Sequence, residues 1–123
     1  MSTAALQGRR ILVVEDEYLI AEDVRDELEG AGAIVVGPAP TVGRALRLIA
    51  DEPALDAAVL DVNLGSEKSF PIAEALKARA IPFLFATGYN SGDVPDEWCR
   101  ARIEMKPLRI VAVAQLLAAR DPG

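Results

Sequence analysis

The 123-residue sequence contains no histidine and a single cysteine, Cys99. Without histidine the chain has no imidazole base, no imidazole metal ligand and no phosphohistidine of its own. One cysteine excludes an internal disulfide and agrees with a reducing compartment, so we expect a cytoplasmic protein. Any chemistry must therefore come from carboxylates, hydroxyl groups, amines and the backbone.

Basic and aromatic residues are also scarce. Thirteen Lys and Arg face nineteen Asp and Glu, a formal charge of −6, so no basic surplus exists to bind nucleic acid directly. The aromatic fraction is 5%, which predicts a core built mainly from Ala, Val, Leu and Ile. No apolar run is long enough to cross a membrane, and we expect no membrane association.

Short apolar runs alternate with segments of helical spacing along the whole chain. The runs, predicted as strands, are Ile11–Val14, Ala33–Gly37, Ala57–Leu60, Pro82–Ala86 and Ala101–Met105. The first four are almost entirely apolar, which is typical of strands covered on both faces. Because parallel strands need crossover connections, the alternation predicts an α/β fold with one parallel sheet.

The predicted helices begin and end at recognisable residues. The first spans Glu17–Ala31, with an apolar stripe formed by Leu19, Ile20, Val24 and Leu28. Thr41 is the expected N-cap of a second helix with Val42, Leu46 and Ile49 inward, Ser69 that of a third with Phe70, Ala73 and Leu76 inward, and the last helix runs over Leu108–Ala119. We expect one domain over residues 10–119, with an N-terminal extension (1–9) and a C-terminal tail (120–123).

The fourth crossover, Thr87–Arg100, has little periodicity and contains two glycines and a proline. At most a short helical turn fits around Pro95–Arg100, so the fourth helix is predicted to be short or mobile. Trp98 in this segment is expected to pack on the sheet edge or on the last helix, with a partner contact as the alternative. Cys99 is expected to be a small buried apolar group.

Polar side chains stand at the carboxyl ends of four predicted strands, where α/β proteins bind ligands. They are Glu15, Asp16, Asp61, Thr87 and Lys106. Neighbouring carboxylates repel unless a cation intervenes, and Mg²⁺ or Mn²⁺ suits oxygen ligands. A carboxylate can also attack phosphorus to form an acyl phosphate, which Lys106 and the Thr87 hydroxyl would stabilise. Taken singly, these residues are equally typical of helix caps and turns; only their conjunction favours a site.

These residues resemble the receiver domains of two-component response regulators, over about residues 10–117. The motifs are ILVVEDE (11–17), AAVLDVNL (57–64), FATGY (85–89) and EMKPL (104–108). The resemblance implies a flavodoxin-like (CheY-like), doubly wound, five-stranded parallel sheet of order 2-1-3-4-5. It also implies Asp61 as phosphoacceptor, Asp16 and Asp61 as direct Mg²⁺ ligands with the Asn63 carbonyl, and Glu15 as an outer-sphere ligand. Thr87 is then the switch hydroxyl, Lys106 the phosphoryl partner, and the Lys106–Pro107 bond cis.

Three departures from the family pattern, together with the motif PFLFATGY (82–89), resemble the FAT GUY branch of stand-alone receivers. Ile103 occupies the position of the usual aromatic, Asp61-Val-Asn-Leu-Gly replaces Asp-x-x-Met-Pro, and the fourth helix is short. We therefore hypothesise that phosphorylation acts by ordering residues 88–100. Gly88, Tyr89, Ile103 and Pro107 are the candidate switch and partner residues, and a shielding role for Tyr89 is an equal alternative.

The function implied is a phosphorylation-dependent switch rather than an enzyme with its own substrate. The expected partners are a histidine kinase or phosphotransfer protein and a downstream protein of unknown identity. If the protein ends at Gly123, output is expected through protein contacts; otherwise the chain is an excised domain. A phosphate sink and a pseudo-receiver scaffold remain open. An aspartyl-phosphate phosphatase would need a second acid where Asn63 stands, and the carboxylates after the first strand would repel a flavin phosphate.

Overall fold

The computed structural model describes residues 4–88, 94–98 and 101–120. Within these ranges the elements are β1 Arg10–Val14, α1 Tyr18–Gly30, β2 Ile34–Ala39, α2 Val42–Asp51, β3 Ala57–Asp61, β4 Asn63–Leu64, β5 Glu67–Lys68, α3 Phe70–Ala78, β6 Phe83–Thr87, β7 Arg102–Met105 and α4 Ile110–Arg120. Short 3₁₀ helices lie at Ala4–Leu6 and Asp96–Trp98. None of the described helices is long and apolar enough to cross a membrane.

Five strands form one parallel sheet in the order β2-β1-β3-β6-β7. This is the predicted order 2-1-3-4-5, because β4 and β5 form a separate antiparallel hairpin that only shifts the numbering. The α/β fold and its strand order are confirmed. The strand order reverses between β1 and β3. In this fold class, ligands bind in the crevice at the carboxyl ends of the two strands where the order reverses.

Helices cover the sheet on both faces, so successive residues of β1 enter different halves of the core. Leu12 and Val14 pack in the half that α2 and α3 cover, and Ile11 and Val13 in the half that α1 and α4 cover. The expectation of strands buried on both faces holds for β1, β3 and β6. It is wrong for β2, an edge strand whose Ile34 is 46% exposed.

Three local expectations for the helices had different outcomes. Thr41 caps α2 as predicted, with its Oγ1 accepting a hydrogen bond from the Arg44 N–H at 3.2 Å. Ser69 occupies the N-cap position of α3, but its buried hydroxyl has no hydrogen-bond partner among the described residues. Leu19 was wrongly assigned to the inward stripe of α1: it is 76% exposed, because it lies in the first turn and one residue off the stripe that ends at Leu28.

The fourth crossover is short in its described part, where one 3₁₀ turn, Asp96–Trp98, is present. Trp98 is buried with its ring edge-on to Phe83 and Phe85, at centroid distances of 5.8 and 6.0 Å. This cluster lies on the α2–α3 face, whereas α4 packs on the opposite face. Of the two positions expected for Trp98, packing on the sheet is observed, against β6 beside the edge strand β7, and packing on the last helix is wrong. The predictions for Tyr89 and Cys99 concern positions outside the described residues.

The chain before β1 contributes to the core. Leu6, in the first 3₁₀ helix, is fully buried and packs in the half of the core that includes α4. The packed unit thus begins ahead of the sequence-based boundary at Arg10.

Candidate functional site

The polar residues singled out in the sequence meet at one edge of the sheet. The register pairs Val14 with Leu60, Asp61 with Ala86, and Thr87 with Met105, so the carboxyl ends of four strands are level. Glu15 and Asp16 follow β1, Asp61 ends β3, Thr87 ends β6, and Lys106 follows β7.

Three carboxylates form the centre of this edge. One oxygen each from Glu15, Asp16 and Asp61 lies within 4.8 Å of the other two. Glu15 and Asp61 are each only 6% exposed, whereas Asp16 is exposed. Water solvates the two buried groups poorly, so they depend on nearby cations and N–H donors.

The Lys106 ammonium joins the two buried carboxylates. Its Nζ donates to Glu15 Oε1 at 2.7 Å and to Asp61 Oδ2 at 3.0 Å. The Lys106 backbone N–H donates to the Thr87 carbonyl at 2.7 Å, which holds the Lys106 backbone against the end of β6. One ammonium is thus shared between two carboxylates in a largely buried setting.

Backbone N–H groups satisfy the remaining oxygens. Glu15 Oε2 accepts from the Glu17 N–H at 3.1 Å, and Asp61 Oδ1 accepts from the Asn63 N–H at 3.2 Å. Both donors lie two residues after the acceptor, where a strand turns into the next segment. Each carboxylate is therefore oriented by the backbone that follows it as well as by Lys106.

Crowding changes the proton affinity of Glu15. Burial, followed by the hydrogen-bonding proximity of Asp61, raises the Glu15 pKa from 4.5 to about 7 despite the opposing effect of Lys106. Burial lowers the pKa of the Lys106 ammonium, but its hydrogen bonds to Glu15 and Asp61 outweigh this, and the net pKa lies above its usual value. The cluster carries more negative charge than one lysine balances.

This donor set fits a hard divalent cation. Mg²⁺ and Mn²⁺ bind carboxylate and carbonyl oxygens, and two oxygens on one Mg²⁺ are at most about 4.2 Å apart. The three carboxylate oxygens lie within 4.8 Å of one another, a bound wider than this limit, so the distances do not require all three to bind one ion directly.

The remaining candidate residues lie around this centre or beyond the described chain. Thr87 is buried at the end of β6, and Ile103 is half-buried against the core. Gly88 and Pro107, both exposed, line a cavity of about 520 Å³ beside α1. The Lys106–Pro107 bond is cis, as the family resemblance implies, and so is Gly37–Pro38, which was not expected. Tyr89 and most of the segment proposed to order on phosphorylation lie outside the described residues.

One element of the site was missed in the sequence. The segment after Asp61 forms the β4–β5 hairpin, in which Lys68 donates a hydrogen bond to Asn63 Oδ1. The available signal was a two-residue turn, Gly65-Ser66, whose Gly65 has φ +65°. Glycine at the first central position is typical of a type II′ hairpin turn.

No protein-family model matches the sequence. SdrG from Sphingomonas melonis Fr1 is 46% identical with a TM-score of 0.77, covering 97% of this chain and 98% of SdrG. The BeF₃-activated conformation of SdrG from Pseudomonas melonis Fr1 is 45% identical with a TM-score of 0.73, covering 98% of both chains.

A third relative is longer than this chain. The phyllosphere-induced regulator PhyR of Methylorubrum extorquens is 33% identical over 116 residues, which is 89% of this chain but 43% of PhyR. The chain therefore spans less than half the length of PhyR. These comparisons do not test membership of the FAT GUY branch, which stays a prediction.

Proposed function

The chain belongs to the response-regulator receiver family, and we propose that it is a phosphorylation-dependent switch whose phosphoacceptor is Asp61. The observation that carries this proposal is the pair of hydrogen bonds from Lys106 to Glu15 and Asp61. They place a cation directly on the carboxylate that would receive the phosphoryl group. Family membership supports a role in two-component signalling.

The reaction needs a nucleophile, a leaving group and stabilisation of charge. A carboxylate oxygen of Asp61 attacks the phosphorus of a phosphohistidine on a separate kinase or phosphotransfer protein. The new O–P bond forms as the P–N bond breaks, and the imidazole leaves with the bonding electron pair and takes a proton. Attack by water on the phosphorus later releases phosphate and restores the Asp61 carboxylate. The chain turns over no other substrate.

The surrounding residues would stabilise the transferred group. The Lys106 ammonium lies 3.0 Å from Asp61 Oδ2, and after transfer it would donate its hydrogen bond to a phosphoryl oxygen. Thr87, buried at the end of the adjacent strand, would donate its hydroxyl. Asp16, Asp61 and the Asn63 carbonyl would hold Mg²⁺ or Mn²⁺, with Glu15 acting through water. The ion, when bound, neutralises charge on the phosphoryl oxygens.

The mode of action would be contact with another protein in the cytoplasm. The net charge of −6 argues against direct binding of nucleic acid. A BeF₃-activated conformation is named for SdrG, a relative at 45% identity, and supports a change of shape on phosphorylation in this chain. A phosphatase is not favoured, because Asn63 stands where that class has its acid.

Incubation with acetyl phosphate and Mg²⁺, followed by intact-mass measurement, tests the proposal. We expect one phosphoryl adduct that is absent in Asp61→Asn and is suppressed by removal of divalent cations. The matched control is Asp51→Asn at the end of α2, which should retain the adduct. An unmodified native chain, or an adduct that persists in Asp61→Asn, would refute the assignment.

A further inference from the structure

The β4–β5 hairpin begins two residues after Asp61 and is anchored to the protein on one side. Its base is closed by the Ser69 N–H, which donates to the Val62 carbonyl at 3.0 Å. Val62 and Leu64 are buried in the core. Asn63 and Lys68 stand directly opposite each other in the hairpin, on the face away from those two side chains. The hairpin therefore holds Asn63 and Lys68 on its face directed away from the core.

The hairpin also lies against the carboxylate cluster. The Asn63 N–H donates to Asp61 Oδ1 at 3.2 Å. At the turn, a methyl group placed on Gly65 would be 3.7 Å from Asp16 Oδ2, which is ordinary van der Waals contact. The segment thus runs along the site from the proposed phosphoacceptor to the exposed carboxylate.

On this side of the site, the Lys68 side chain is a cation whose hydrogen-bond partner is a neutral group. Its ammonium donates to the amide oxygen Asn63 Oδ1. Within the described parts of the chain the Lys68 ammonium forms no ion pair. The backbone N–H of its partner, Asn63, donates a hydrogen bond to Asp61. Lysine 106, by contrast, is shared between Glu15 and Asp61. Lys68 is exposed and therefore free to change its partner.

We propose that Lys68 is a second cation for the phosphoryl group, opposite Lys106. This inference rests on the proposed function, and it concerns phosphoaspartate or an anionic phosphodonor at Asp61. A phosphorylated aspartate carries about two negative charges where the free carboxylate carries one, and charge-assisted hydrogen bonds are about twice as strong as neutral ones. Lys68 accordingly exchanges Asn63 Oδ1 for a phosphoryl oxygen. It transfers no proton and takes part in no bond-breaking.

The role predicts opposite effects on the two kinds of ligand. A cation near three carboxylates repels Mg²⁺ but attracts a phosphoryl anion. Removing the charge of Lys68 should therefore strengthen binding of Mg²⁺ and weaken binding of the anion. Loss of hairpin structure would instead weaken both, because the Asn63 segment contacts Asp61 directly.

The experiment compares Lys68→Gln with Lys77→Gln in the full chain. Lys77 lies on α3 over the Trp98 ring, and it is the remaining lysine outside the site. Calorimetry gives the dissociation constant of Mg²⁺, and NMR titration at saturating Mg²⁺ gives that of beryllofluoride. For Lys68→Gln we expect beryllofluoride to bind about three- to tenfold more weakly and Mg²⁺ about twofold more tightly, with a smaller effect of added salt. Lys68→Arg should restore the native values.

Each outcome decides the question. Equal constants in the two Gln variants would overturn the role of Lys68, as would weakening of both ligands in Lys68→Gln alone. Failure of the native chain to bind beryllofluoride or to be phosphorylated would instead refute the proposed function. Opposite shifts in Lys68→Gln, with rescue by arginine, support a second cation.

Discussion

Replacing Glu15 by glutamine should remove most of the pH dependence of folding stability in the metal-free protein. The native pKa of Glu15 is about 7 against 4.5 for the ordinary group, mainly because the carboxyl is buried. Since the native state holds this proton more tightly, the contribution of Glu15 to the free energy of unfolding is greatest below about pH 4.5 and is lost as the pH rises through 7. Its side chain is 5% exposed, so solvent screening is small.

The size of the effect follows from the two pKa values. The difference between these two pKa values corresponds to a loss of about 3 kcal/mol from the free energy of unfolding at high pH, and most of this loss falls between pH 5 and pH 8. Lys106 adds no slope in this range, because its pKa is raised above 10.5 and its contribution is lost only at higher pH. Glutamine keeps the oxygen that accepts from Lys106 but does not titrate.

Urea denaturation at pH 5 and pH 8, with divalent cations removed, measures the difference. The native chain should lose about 2–3 kcal/mol more than Glu15→Gln between these pH values, and the exposed control Glu29→Gln should behave as the native chain. Saturating Mg²⁺ should reduce the loss, because a bound cation favours ionised carboxylates. Equal slopes in the native and Glu15→Gln proteins would refute the reasoning.

Two further predictions concern the backbone after α3 and the packing of Trp98. Ala80, which follows α3, has φ +55°, so Ala80→Gly should raise the free energy of unfolding by about 0.5–1 kcal/mol, whereas Ala78→Gly at the last residue of α3 should lower it. No gain at position 80 in urea denaturation would argue against strain there. Trp98→Ala should cost about 3–5 kcal/mol because the ring is buried against Phe83 and Phe85. A thermal melt close to that of the native chain would instead favour a surface role for Trp98.

Much of the fold could be predicted from local patterns. Alternation of apolar runs with helical segments predicted the parallel sheet, and family motifs added the strand order, both of which the structure has. The predicted strands placed Glu15, Asp16 and Asp61 at strand ends, and the structure brings one oxygen of each within 4.8 Å of the others. This works because parallel strands share one carboxyl edge, so position along each strand determines which residues meet.

Which side chains are buried, and which residues they pack against, was harder to predict from the sequence. Leu19 is apolar and adjoins the stripe of α1 but is exposed, since it lies in the first turn and one residue off the buried stripe. Trp98 is apolar and close to the last helix in sequence, yet it packs on the opposite face against Phe83 and Phe85. Both outcomes depend on contacts between residues distant in the chain, which no local pattern contains.

For this protein, then, the sequence by itself determined the absence of histidine chemistry, the acidic surface charge and the set of polar residues at the strand ends. Only the tertiary structure decided how these groups share charge. It brought Lys106 between Glu15 and Asp61, raised the Glu15 pKa through burial, and set Lys68 beside Asn63 in a hairpin. The physical reason is that residue type depends on the sequence alone, whereas solvation and electrostatic interaction depend on distances that folding creates.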